Sequence, residues 1–431
     1  MDDLSPNAAA LFTDYTGNIT ESDLKTDLFK NEFTIKRRFA KFNFGYFMDQ
    51  VITPYGKGIK NPVLEMNFFT GEKPLMAKTT LYQYKDGNYH WEGATEAKFY
   101  SQTFFVVNKH GGFGHVQIDD RILSFHPIVY NKEVIMVIEE MDQNKFPSCG
   151  SKPETKTEGD PVSVPKQSQG NYAIEALFVY PQPFNTLCDN SFWNLIFPNG
   201  VLAMYTEYLT RELNIKYRQD GVIHQITFRG HTFCSDYAPR GRNFNFDIER
   251  LRSNREFLDE RDRVNADVVC MVVREGDLCG TALAPFGVNA SRSERGAQMI
   301  VRNSCAVSNH SLAHEMGHLL GLQHERADHP VINGNYCQFG YYMRIAHNRN
   351  GLNNPPLVRR SIMAIGTQAA RQGIANPNRI GVFSDGRDFR FFNSFVRMGI
   401  PCNAETDDEF EKPANNIQTI NMNVPILSNY R

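Results

Sequence analysis

The residues with the most chemistry in this 431-residue chain lie in one run, His314-Glu315-Met316-Gly317-His318-Leu319-Leu320-Gly321-Leu322-Gln323-His324. Two histidines four apart on a helix share one face, so His314 and His318 can aim their rings at one ion. Glu315 stands beside that face, within reach of a water held by the ion. Gly321 admits the positive φ that ends a helix and turns the chain back. That turn would bring His324 round as a third ligand. Three protein ligands and an open fourth position describe a catalytic zinc ion, whereas a structural ion is usually closed by four. A bare HExxH arises by chance in short helices, but the glycine and third histidine at fixed offsets make a chance match very unlikely. The plain alternative, a buried helix whose histidines only hydrogen-bond, suits any single histidine far better than the set.

The elements around the run are those such a site needs. Leu312, Met316, Leu319 and Leu320 give helical spacing over 311–320, an apolar face that buries while the polar face holds the ion, and Asn309 or Ser311 is placed to cap its start. Upstream, 173–180 reads as a buried first strand, and Leu202, Tyr205, Leu209 and Leu213 put a helix over 201–213. Strands are expected near 222–228 and 267–273, and the chain beyond His324 is loop-rich, with its clearest break at 350–356. This alternation makes the C-terminal part α/β. Residues 104–107, 114–118 and 122–128 are apolar runs separated by Gly, Asp and Asn turns, so the N-terminal part is β-rich. Between the two, 151–170 lacks large apolar side chains and reads as an exposed linker.

The long motif resembles the metzincin zinc endopeptidases, in which it is followed by a methionine turn. Arg360-Ser361-Ile362-Met363-Ala364 supplies that turn here, and by resemblance Met363 floors the site as a packing residue. Ala266-Asp267-Val268-Val269, Cys279-Gly280-Thr281-Ala282, Asn303-Ser304-Cys305-Ala306 and Asn416-Ile417-Gln418-Thr419-Ile420-Asn421 look most like the reprolysin-type (adamalysin-type) proteases and their bacterial relatives. Glu325, after the third histidine, departs from the reprolysin aspartate and looks like the astacin form. The astacin tyrosine two places after the methionine is replaced by Ile365.

The resemblance implies a metzincin catalytic domain over 171–431: a mixed twisted sheet with helices, the zinc-motif helix, and a smaller C-terminal subdomain. It implies a β-rich pro-domain over 1–150, an activation cleavage in 151–170, one catalytic zinc on His314, His318 and His324, and Glu315 as general base. The activity implied is endopeptidase action on protein or peptide substrates, with an inactive binding module of the same fold as the alternative. Cys279 and Cys305 sit in contexts resembling a paired disulfide of the group. Cys188, Cys234, Cys337 and Cys402 could form two further pairs of open connectivity, and Cys270, inside an apolar strand, reads as a buried thiol. Cys149, before the linker, resembles the pro-region cysteine of reprolysins and is a candidate latency switch, with a disulfide as the other reading. Tyr341 and Tyr342 lie between the third histidine and the methionine turn, where packing is the simpler role.

Composition narrows the class. A formal charge of −2 argues against a nucleic-acid surface, and no run approaches the ~18 apolar residues that span a bilayer. Eight cysteines suit an oxidising compartment. The first residues carry no basic n-region or apolar h-region. The expectation is therefore a secreted monomer whose leader has been removed; another export route and an intracellular site are the other readings of this N-terminus.

Overall fold

The computed structural model describes residues 10–97, 100–147, 149, 169–197, 199–219, 221–240, 243–283, 297–325, 338–345, 357–365, 377–385, 388–391, 394–397, 399–400 and 414–429. By contacts the chain falls into two compact units, Met1–Asp142 with Thr186–Tyr208, and Gln143–Asn185 with Leu209–Arg431.

The first unit is built on a nine-stranded antiparallel sheet: β1 (Phe12–Asp14), β2 (Thr34–Phe42), β3 (Val63–Met66), β4 (Leu75–Lys85), β5 (Asn88–Thr95), β6 (Ser101–Asn108), β7 (Gly111–Ile118), β8 (Arg121–Tyr130) and β9 (Glu133–Met141). Their spatial order is β1-β2-β9-β8-β7-β6-β5-β4-β3, a meander from β3 to β9 in which two-residue turns join β4 to β5, β6 to β7, β7 to β8 and β8 to β9. One face packs Phe12, Phe47, Trp91, Phe105, Leu123 and Phe125 into a single core. On β6 and β7, Phe104 and Phe113 lie against Tyr205 and Tyr208 instead, with ring centroids 4.9–5.7 Å apart. Covering both faces is why these central strands read as continuous apolar runs.

The second unit carries a five-stranded sheet of β10 (Asn171–Tyr180), β11 (Gln225–Cys234), β12 (Val268–Val273), β13 (Gly280–Leu283) and β14 (Gln298–Arg302), ordered β11-β10-β12-β14-β13. All pairings are parallel except β13 with β14, so the sheet is mixed and β13 is an antiparallel edge. A fully buried VVCMVV strand is what a parallel sheet sandwiched by helices demands. The helix Phe244–Ser253 buries Phe244, Ile248 and Leu251 against this sheet, and the helix Ser311–Leu319 packs on β13 and β14. The mixed α/β class is as expected.

Several boundaries differ from the sequence reading. The expected 222–228 strand is β11, displaced to Gln225–Cys234, because its ten-residue parallel register with β10 outweighs the apolar run at Val222 and Ile223. The 201–213 helix continues to Lys216. Residues 151–168 of the expected 151–170 linker, the expected break at 350–356, Cys337 and Cys402 lie outside the described residues. Among the described residues no helix is long and apolar enough to cross a membrane.

Candidate metal centre

All nine residues of the Ser311–Leu319 helix are buried. Neither Asn309 nor Ser311 caps it. The N-cap is His310 in the left-handed region, φ 53°, with no side-chain cap bond. Its Nδ1 instead meets the buried Glu212 carboxylate at 2.8 Å, a tertiary contact that displaces the local cap. Burial and the positive charges of Lys216 and Arg379 push the His310 pKa far down, so the ring is neutral and donates to Glu212. Tyr217 Oη donates to Ala313 O at 3.1 Å, fixing the same turn of helix. At the far end Gly321, φ 81°, donates to His318 O while Leu322 N–H donates to Gly317 O. This is the paired-bond stop that a glycine after the cap permits.

The stop delivers His324 to the other two histidines. Their Nε2 atoms lie 3.2 Å (His314–His318), 3.3 Å (His314–His324) and 3.1 Å (His318–His324) apart. His314 Nδ1 donates to Ile362 O and His318 Nδ1 to Leu322 O, both at 2.8 Å. A neutral imidazole with its proton on Nδ1 has a lone pair on Nε2, so the His314 and His318 lone pairs converge on one point. Such an arrangement is repulsive without a cation between them. A tetrahedral zinc shell with ~2.0–2.1 Å bonds separates neighbouring nitrogens by about 3.3 Å, so the donor set fits zinc. Burial, then the charge of Arg379 and the neighbouring histidines, holds His314 far below the usual histidine range, which keeps it neutral.

Cys149 completes the cluster. Its Sγ and the three histidine nitrogens all lie within 4.8 Å of one another. The thiol is 3.7 Å from His318 Nε2 and donates to Glu315 Oε1 at 3.1 Å. A parallel bridge to Gly280, the first residue of β13, holds it there. Cys149 is half-buried and in no disulfide among the described residues. Cys279 and Cys305 form a disulfide, Cys270 is a buried thiol, and Cys188 and Cys234 are disulfide-bonded.

Met363 is buried, and its Sδ would lie 2.6 Å from a Cβ added at Gly317, so the thioether packs against the middle of the ligand helix. The turn also supplies Ile362 O to His314. Sequence reasoning missed what anchors the turn. Glu325 Oε2 accepts from Ile365 N–H at 2.6 Å and Oε1 from Tyr342 Oη at 3.4 Å, so Tyr342 packs with Glu325. Arg360 Nη1 and Arg379 Nη2 both donate to Ala364 O, and Arg379 Nη1 donates to Asn309 O. Burial and the Arg360 charge pull Arg379 down to about 9. Isolated arginines more than 30 residues downstream of a metal motif carry no spacing signal, so nothing in the sequence singles them out.

These residues stand beside a wider likeness. Residues 214–325 match the family described as Metallo-peptidase family M12B Reprolysin-like, as the motif's resemblance implied. No curated protein matches the chain. Of solved structures, "Structure of a chaperone-substrate complex" is 15% identical with TM-score 0.39, over 74% of this chain and 39% of that one. "Crystal Structure of metalloproteinase-II from Bacteroides fragilis" is 10% identical with TM-score 0.37, over 64% of this chain and 85% of that one.

Proposed function

We propose that the protein is a zinc-dependent endopeptidase of the reprolysin-like metzincin type, made as a latent precursor. The observation that carries this is the convergence of three histidine nitrogens at 3.1–3.3 Å beside a buried Glu315. In this reading His314, His318 and His324 hold one zinc ion, Met363 floors it, and Gly321 turns the third ligand in. Bound zinc would supply Lewis acidity to the scissile carbonyl and acidify a water. Glu315 takes the proton of the attacking water and later delivers it to the leaving amine nitrogen. The edge strand β13 lies beside Glu315, since a Cβ on Gly280 would fall 2.6 Å from Glu315 Oε1.

Cys149 gives the latency. Its thiol lies within 4.8 Å of the three histidine nitrogens and engages the base directly. Thiolate is a strong zinc ligand. The pro-domain is residues 1–150, removed by a cut in 151–170, leaving 171–431 as the enzyme with a smaller C-terminal subdomain. Disulfides suit a secreted monomer acting on protein or peptide substrates.

The test is hydrolysis of a mixed peptide library by the Cys149→Ala chain, with and without chelator, beside Cys149→Ala/Glu315→Gln. Chelator-sensitive cleavage that the second substitution lowers by at least ~10³-fold is expected, the scale of losing an essential proton-transfer group. Stoichiometric zinc with no cleavage by either form, or by the isolated 171–431 part, would replace the enzyme with a binding module of the same fold.

A further inference from the structure

Away from the histidine cluster, the second unit holds a cavity of about 530 Å³ lined by Tyr237, Arg240, Phe246, Arg250, Asn254 and Arg255 together with Ala238 and Ser253. Three of these residues are arginines and none is acidic. The Arg240 guanidinium lies 3.8 Å from the Phe246 ring centroid and that of Arg250 lies 5.3 Å from the same centroid. Two cations on one ring repel each other. Stacking on an aromatic face orients a guanidinium but leaves its N–H edge open. Among the described residues the guanidinium of neither Arg240 nor Arg250 has a carboxylate within 4.0 Å, whereas that of Arg255 has only the exposed Asp259 at 3.6 Å.

The wall is fixed rather than incidental. Asp247, fully buried, accepts from Tyr237 Oη at 2.7 Å and from Arg240 N–H at 3.1 Å. That single carboxylate pins both the tyrosine wall and the backbone that carries Arg240. Phe246, Arg250 and Ser253 are spaced as one helical face, opposite Phe244, Ile248 and Leu251, which bury against the sheet. The same helix packs on β13, the strand beside Glu315. The cavity is therefore carried by a helix that borders that edge strand.

We infer that this arginine cavity is an anion-binding exosite that takes a Glu- or Asp-rich segment of a protein substrate. This rests on the peptidase reading for its purpose but not for its test. Carboxylates match the open guanidinium edges bidentately, and the Phe246 and Tyr237 rings accept the methylene stems of acidic side chains.

The probe is a fluorescein-labelled hexaglutamate peptide, titrated by anisotropy into the full Glu315→Gln chain, where cleavage cannot intrude. Arg240→Gln/Arg250→Gln in that background should weaken binding at least tenfold, and raising the salt should weaken the parent but hardly affect the variant. Both substituted side chains are exposed, so the thermal midpoint should not move; a lysine pair, Arg240→Lys/Arg250→Lys, which keeps charge but not the fork, should recover only part of the affinity. Equal binding by parent and Gln variant overturns the proposal. Displacement of the peptide by an equal concentration of inorganic phosphate also overturns it, because the cavity would then recognise a compact anion rather than an acidic chain. Binding that passes this test stands even where the Cys149→Ala chain cleaves nothing, so the two readings fail separately.

Discussion

Glu325 shows how much one side chain beyond the zinc motif can decide. It follows the third histidine and spends its carboxylate on Ile365 N–H and Tyr342 Oη, tying the short strand Gln323–Glu325 to the segment after Met363. Removing it leaves a half-buried N–H without its charged acceptor, at a cost of about 1.5 kcal/mol. Glu325→Ala should therefore lower the thermal midpoint and release zinc at a lower chelator concentration, while Glu325→Gln, which keeps an acceptor oxygen, should retain most of both. Identical chelator titrations for parent and Ala variant would show that the turn is held by Arg360 and Arg379 alone. That the motif histidines, Glu315 and Gly321 come together was legible because their placement depends on spacing within one helix and its stop. Glu325's partners were not, because Tyr342 and Ile365 meet it only through tertiary packing.

At the scale of elements, strands β6, β7 and β8 and the helices Val201–Lys216 and Ser311–Leu319 were readable from apolar runs and period, whereas the helix Phe244–Ser253 was not. Two other departures share a cause. β11 is placed by its register with β10, and the zinc-motif helix is started by His310 on Glu212 rather than by a local cap. Long-range partners overrode local preference in both. The Cys279–Cys305 disulfide ties the start of β13 to the approach of that helix across 26 residues. Closing a loop of that length restrains the unfolded chain by about 3.5 kcal/mol. Cys279→Ala/Cys305→Ala should lose a comparable amount in denaturant unfolding of the second unit. A loss near zero would mean that packing on β14 already holds both ends.

Over the whole molecule, the two units differ in what pH does to them. In the first, His126 is buried with Nε2 2.9 Å from Asp27 Oδ2 and Nδ1 3.9 Å from Glu139 Oε2. Burial alone would depress its pKa, but the two carboxylates overcome burial and raise it. A folded pKa above the unfolded value of ~6.5 makes the ion pair's contribution complete below that pH and lost as pH rises through the folded pKa. The stability gap between the parent and His126→Gln should be widest below about pH 6.5 and shrink above it; thermal melts across pH 5–9 read this, and a constant gap would contradict it. The proposed zinc ligands have the opposite requirement, since all three histidines must be neutral to bind.

The proposed zinc centre and its latency meet at one atom, Cys149 Sγ. X-ray absorption at the zinc edge on the full chain therefore tests the account most directly. It should show three nitrogen neighbours and one sulfur, with the sulfur replaced by oxygen in Cys149→Ala. A shell without sulfur in the parent would remove the latency switch, and a chain that retains no zinc would remove the peptidase.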